Sequence, residues 1–422
     1  MNNSKISIQL ISILLVSVCC ARHVYAQSYI PKDHHFEEQW YLNNTVNEGI
    51  DINVLEAWQI TRGEGVKLAI YDDGISNNHE DLNVENIFNT VGENGFSSHG
   101  TKCAGIASAI HNNFGIAGVA PESSLISISF SGHFINVIDD GNLDNMVSGF
   151  NWATENTDII SCSWRTIEND DISDAINRAL TQGRRGLGTV VVFSSANRSL
   201  NSQYPTNTIP EILCVGAIDR EGYRYSSSGY GSHLDVVACG EKILTTAGNV
   251  DYVNFDATSA AAPQVAGVAA LVLSVNPNLT ARQVNDIIKI TASKIEGDGY
   301  DYQNKPINEN INGLWNEEVG YGLVNAYEAV KLAQSPQYQY ICETDIPIPI
   351  NNDNNNNIIN SLDVRYVSSQ LINTQFDDVN NNPDVLIKAN ERVFMLSEYV
   401  TLNKGFKVES GGCLDVLIKP CD

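Results

Sequence analysis

Leu68-Ala69-Ile70-Tyr71-Asp72-Asp73-Gly74-Ile75 decides how the rest of the chain is read: a short, unbroken apolar run that ends in two acids and a glycine. Such a run predicts a strand over residues 66–71 that is covered on both faces, as strands of parallel sheets are, with a turn at the glycine. Residues 124–129, 158–163, 189–194 and 211–218 are further candidate strands, several of them nearly continuous apolar runs. Between them, helical spacing of apolar and small residues occurs at 100–110, 172–182, 259–275 and 280–292. Asn276-Pro277-Asn278 separates the last two, and Thr280 is the expected N-cap of the second. This alternation predicts an α/β protein, a parallel sheet with helices on both faces. In such a sheet a carboxylate at the carboxyl end of a strand faces the ligand crevice, which makes Asp72 a candidate orienting acid.

Two further motifs supply what an orienting acid would orient. In Ser98-His99-Gly100-Thr101-Lys102-Cys103-Ala104-Gly105 a histidine opens a helix of small residues. The helix dipole there disfavours the imidazolium, which predicts a neutral ring able to accept a proton. In Ala257-Thr258-Ser259-Ala260-Ala261-Ala262-Pro263-Gln264-Val265-Ala266-Gly267 a serine sits at a helix start, among backbone N–H groups that can stabilise an oxyanion. Taken singly, each motif also fits a plain turn, a capping histidine or a serine N-cap. Acid, histidine and serine in that order along one α/β chain make up one of the known layouts of a Ser-His-Asp triad.

The segment from about residue 33 to 333 resembles the subtilisin-like serine proteases. Phrases close to their kexin and furin branch are Phe36-Glu37-Glu38-Gln39-Trp40-Tyr41-Leu42, Asp72-Asp73-Gly74-Ile75, His99-Gly100-Thr101-Lys102-Cys103-Ala104-Gly105, Ser161-Cys162-Ser163-Trp164 and Gln182-Gly183-Arg184-Arg185-Gly186-Leu187-Gly188. The resemblance implies a subtilisin-like fold and peptide-bond hydrolysis through Asp72, His99 and Ser259, with polypeptides as substrates. It also implies Asn197 as side-chain donor to the oxyanion, and Ser163-Trp164-Arg165 as the strand that pairs with the substrate backbone. A structural Ca²⁺ is implied as well, on Asp33, Asp81 and Asn112 or Asn113. Three glycines of the family pattern are replaced, by Ala257, Ala196 and Arg165. The last two positions line the pocket for the residue before the cleaved bond, so a narrowed or recharged pocket is expected there. Two alternatives stand beside the endopeptidase reading: a catalytically weak or inactive member that binds rather than cleaves, and a kexin-like processing protease.

Composition sets the surroundings. The chain has 422 residues, 43% of them hydrophobic and 18% charged, with a net charge of −25, which suits a soluble globule and excludes binding to nucleic-acid phosphates. Residues 1–26 read as a signal peptide: a basic start to Lys5, an apolar run to Cys20, and Val24-Tyr25-Ala26 as the cleavage site. Secretion is therefore expected. No other stretch is expected to span a membrane. Only a handful of residues separate Ala26 from the subtilisin-like segment, fewer than the prodomain such enzymes carry.

Cleavage leaves Cys103, Cys162, Cys214, Cys239, Cys342, Cys413 and Cys421. The first four fall in apolar or small-residue runs and read as buried, inert thiols, with no cysteine metal cluster. Pairing among the last three is open. The expected domains are the catalytic domain over 27–334, an Asn- and Pro-rich linker over 335–357, and a small β-rich module over 358–422.

Overall fold

The computed structural model describes residues 29–334, except 48, 91–97, 131–139, 200, 202–203, 297–298 and 304–313, and beyond these only the backbone of strands between 338 and 418. Residues 1–26, read as a signal peptide, lie outside the described residues, as do most of those read as a linker.

Seven parallel strands form the central sheet: β1 (Lys67–Asp72), β2 (Val84–Asn89), β3 (Ser124–Ser129), β4 (Ile159–Cys162), β5 (Val190–Ser194), β6 (Leu213–Ile218) and β7 (Val236–Cys239). Their order is β2-β3-β1-β4-β5-β6-β7. The chain leaves β1 toward one edge and later leaves β4 toward the other. The crevice at this reversal therefore opens at the carboxyl ends of β1 and β4, where Asp72 and Ser163 stand.

The strands are two-faced, as their apolar runs require. Leu68 and Ile70 face one core while Ala69 and Tyr71 face the other, and Val190 and Val192 oppose Val191 and Phe193 in the same way. Of the helices α1 (Val54–Ala57), α2 (Ser98–Ser108), α3 (Asp140–Asn156), α4 (Asp170–Gln182), α5 (Thr258–Val275), α6 (Ala281–Thr291) and α7 (Ala326–Gln334), α4 covers the second core. Helices α2 and α5 to α7 cover the first. A hairpin of β8 (Ile243–Ala247) and β9 (Asp251–Phe255) leans on α2, with Thr245 and Thr246 donating to the carbonyls of Lys102 and Thr101.

Helix α5 runs through the centre. Contrary to the sequence expectation, it is long and apolar enough by length and composition to cross a membrane. Yet 89% of that span is buried inside the protein, and small residues let it lie close to the sheet. Thr280 caps α6 as expected: its hydroxyl accepts from Gln283 N–H at 3.2 Å and the Gln283 side chain accepts in return from Thr280 N–H at 2.7 Å.

Beyond 334, β10 (Tyr338–Ile341), β11 (Asn356–Ile358), β12 (Asp384–Ile387), β13 (Arg392–Ser397), β14 (Lys407–Val408) and β15 (Cys413–Ile418) form two three-stranded sheets, β10-β15-β13 and β11-β12-β14. Strands are thus present inside the segment read as linker. Leu386 lies opposite Lys407 and Arg392 opposite Cys413, both in parallel, so β12 to β15 alternate between the sheets with one constant offset.

Candidate active site

Asp72 ends β1, and its buried carboxylate accepts from His99 Nδ1 through both oxygens, at 2.9 and 3.0 Å. His99 is the second residue of α2. Burial alone would lower its pKa, but the Asp72 charge and hydrogen bond prevail and hold the imidazole well above its ordinary value. The carboxylate in contact thus acts against the helix-start effect that was expected to favour the neutral ring. Gly100 is what brings α2 so close: a Cβ there would lie 2.3 Å from the Gly74 carbonyl oxygen and 3.1 Å from Asp72 Cβ.

Ser259 opens α5 against the same cluster. Its Oγ donates to the Ser163 carbonyl at 3.2 Å, and Ser163 Oγ donates back to the Ser259 carbonyl at 3.1 Å. Cys103 joins the two halves of the site. Its thiol donates to the Ser259 carbonyl at 3.6 Å and lies 3.9 Å from both His99 Nδ1 and Asp72 Oδ2.

Asn197 follows β5, and its Oδ1 accepts from Thr258 N–H at 3.0 Å and Thr258 Oγ1 at 2.5 Å. This turns the carbamoyl oxygen toward α5 and leaves Nδ2 as the donating end. Ala260 and Ala261 N–H both donate to the Ala257 carbonyl. Among the described residues nothing accepts from Ser259 N–H. Two donors, Asn197 Nδ2 and Ser259 N–H, are thus available beside one hydroxyl.

The glycine replacements have a conformational signature. Ala196 adopts φ 71° and Ala257 φ 69°, ψ −161°, both in the region that favours glycine. Such residues store about 1–3 kcal/mol each, whereas glycine costs about 0.4–1 kcal/mol through a freer unfolded chain. Ala257→Gly is therefore expected to raise the thermal midpoint by a few degrees, as measured by calorimetry. A lowered midpoint would mean that packing, not sterics at Cβ, sets this backbone.

Of the other residues singled out in the sequence, Ser163 faces Ser259 and Arg165 is exposed. Trp164 is a core side chain instead: its indole donates to the Tyr71 carbonyl at 2.5 Å and packs against Tyr71, Phe130 and Phe193, so only its backbone can meet a substrate. Sequence reasoning missed three neighbours of His99. Phe255 meets the imidazole edge-on at 5.2 Å. Cys103, buried and free as expected with Cys162, Cys214 and Cys239, is set against the acid and the ring as well as packed in the core. Asp73 accepts from Gly100 N–H at 2.7 Å; burial and the Asp72 charge raise its pKa to about 7. The repeated acid in Asp72-Asp73 was the available signal.

Away from the crevice, Asp33, Asp81 and Asn112 do come together. Asn112 N–H donates to Asp33 Oδ1 at 3.0 Å and Asn112 Nδ2 to Asp81 Oδ1 at 3.1 Å. Both carboxylates are buried, and Asp33 Oδ2 has no hydrogen-bond partner among the described residues. Burial holds both pKa values up, and the Asp81 charge adds to the rise at Asp33. Two buried carboxylates with an orphaned oxygen fit a hard divalent cation.

A seven-stranded parallel sheet that carries an acid, a histidine and a serine on its crevice defines a class of α/β hydrolytic enzymes that use a serine nucleophile. The chain belongs to the subtilase family, a family of serine endopeptidases, whose family model matches residues 63–322. It is 32% identical to thermitase of Thermoactinomyces vulgaris over 318 residues, covering 72% of this chain and 100% of that one. It is 31% identical to a calcium-dependent protease of Trichormus variabilis and to kexin of Candida albicans, matching 80% and 72% of this chain. Of those two relatives it spans only 56% and 34%. Among solved structures, a protease from Pseudoalteromonas arctica superposes with TM-score 0.58 at 25% identity, covering 72% of this chain and 100% of that one.

Proposed function

We propose that this chain is a secreted serine endopeptidase in which Ser259 is the nucleophile, His99 the general base and acid, Asp72 the orienting carboxylate and Asn197 an oxyanion donor. The observation that carries the reading is the two-oxygen grip of buried Asp72 on His99 Nδ1, with the Cys103 thiol bridging this pair to the Ser259 carbonyl. With Nδ1 held by Asp72, Nε2 is assigned the role of taking the Ser259 proton and returning it to the leaving amine. Attack on the peptide carbonyl places negative charge on its oxygen, which Asn197 Nδ2 and Ser259 N–H stabilise until the amine departs and an ester to Ser259 remains. Water then hydrolyses that ester by the same proton route. Ser163 to Arg165 lie beyond the last ladder residue of β4, and the pairing with an extended polypeptide is assigned to them. The test is labelling by a fluorophosphonate: wild type should react and Ser259→Ala should not. Failure of the wild type to react would overturn the reading.

Export follows from reading residues 1–26 as a signal. Ca²⁺ is assigned a structural role on Asp33 and Asp81, with Asn112 beside them, where it would supply the positive charge that two buried carboxylates require. Calcium is expected to raise the thermal midpoint in proportion to the logarithm of its concentration, about 2.7 kcal/mol at a hundredfold excess over Kd. Asp81→Asn should abolish that dependence. A midpoint indifferent to both calcium and chelator would remove the metal from this site.

A further inference from the structure

Asp72 accepts a hydrogen bond from His99 Nδ1, and the Cys103 thiol lies 3.9 Å from the same nitrogen. Contacts at one nitrogen fix one end of an imidazole, and the tilt of the ring is then set by what packs on it. Phe255 packs on this one. The two ring centroids are 5.2 Å apart and the planes meet at 85°, the edge-to-face geometry that aromatic pairs favour.

Phe255 is itself held from several sides. It ends β9, in register with Ile243 of β8. That hairpin is tied to α2 within one turn of His99, where Thr246 Oγ1 donates to the Thr101 carbonyl at 2.7 Å and Thr245 Oγ1 to the Lys102 carbonyl at 2.6 Å. Lys102 Nζ lies over the Phe255 ring, 5.5 Å from its centroid, a cation on the electron-rich face. Helix α2 thus presents both His99 and Lys102 to a single ring.

Beyond Phe255 the chain runs straight to the proposed nucleophile. Ala257 N–H donates to the Gly240 carbonyl at 2.7 Å, and Ser259 follows two residues later at the start of α5. Phe255 therefore stands on the same short, pinned segment as Ser259, and its ring is a spacer between His99 and the entry to α5. Proton transfer depends on that spacing, because a base acts only within hydrogen-bond reach of the hydroxyl it deprotonates. A misplacement of about 1 Å can cost on the order of a hundredfold in rate.

We propose that Phe255 is a positioning residue of the reaction: its ring holds the His99 imidazole at the tilt from which Nε2 takes the Ser259 proton. The assignment rests on Ser259 being the nucleophile and His99 its base, and deepens that reading by naming the side chain that keeps the two in step.

Phe255 is partly buried at the margin of the core, so variants at this position are expected to fold. Phe255→Leu keeps apolar bulk without the aromatic ring and should lower kcat about fivefold, with KM within about twofold of wild type. Phe255→Tyr keeps the ring and should restore kcat to within about twofold of wild type. In Ser259→Ala, nuclear magnetic resonance should show the carbon-bound protons of the His99 ring displaced by the Phe255 ring current. That displacement should vanish with Leu at position 255 and persist with Tyr. A Leu variant with wild-type kcat, or with its loss confined to KM, overturns the proposal, as does a Tyr variant no better than Leu. The catalytic reading fails differently: a wild type that does not react with fluorophosphonate sinks the nucleophile even where the His99 signals carry the ring-current displacement.

Discussion

Ser259→Ala is expected to lower kcat on a peptide substrate by about six orders of magnitude while leaving KM within a few-fold of wild type. In the proposed reaction the hydroxyl forms the acyl bond, so its loss removes covalent catalysis as a whole and leaves only positioning and oxyanion stabilisation. The fold should tolerate the change. Ser259 Oγ makes a single 3.2 Å hydrogen bond to the Ser163 carbonyl, and the backbone contacts of α5 with Cys103 and Ser163 survive in alanine. Progress curves with active-site titration measure the loss. A residual rate within tenfold of wild type would mean that another group attacks the carbonyl.

Asp72→Asn should cost about ten-thousandfold in kcat, because an asparagine amide facing His99 Nδ1 favours the tautomer that leaves Nε2 protonated and unable to act as a base. The same change makes a second, independent prediction. The Asp72 charge and hydrogen bond hold the His99 pKa well above its ordinary value. In wild type the imidazole is therefore deprotonated, and competent as a base, only as pH rises past that elevated value. Removal of the carboxylate takes away the raising influence and leaves burial, which lowers the pKa. The ascending limb of the residual kcat/KM profile must then move to lower pH. An unmoved limb would assign the titration to a different group.

The parts of the fold legible in the sequence were those with one dominant physical cause. The strands β1, β3, β4, β5 and β6 are covered on both faces, so each is written largely in apolar and small residues and was located within two residues. Strand β2 was missed because it is the sheet edge: Val84-Glu85-Asn86-Ile87-Phe88-Asn89 has no buried residue and gives no apolar run. Strands β8 and β9 were missed for a different reason. Their inward residues include Thr245 and Thr246, whose hydroxyls bond to carbonyls of α2, and a hydrophobicity pattern cannot register polar residues satisfied in this way.

At the site, the positions of Asp72, His99 and Ser259 were legible because each sits at an element boundary where local pattern marks it. Cys103 was assigned only to packing, since nothing in the run around it states that the thiol would lie 3.9 Å from two other functional groups. The grouping of Asp33 with Asp81 and Asn112 came from family resemblance alone, because contacts between residues that far apart leave no periodic trace.

The Trp164 indole, hydrogen-bonded to the Tyr71 carbonyl, fastens together two things that evolution would profit from adjusting separately. Tyr71 immediately precedes the acid that holds the base, and Arg165 immediately follows the tryptophan. A shift of the backbone at residues 163–165 is therefore transmitted through the indole to the end of β1, where Asp72 stands, so substitutions after β4 are expected to disturb the Asp72–His99 pair unless the tryptophan is kept as a rigid anchor.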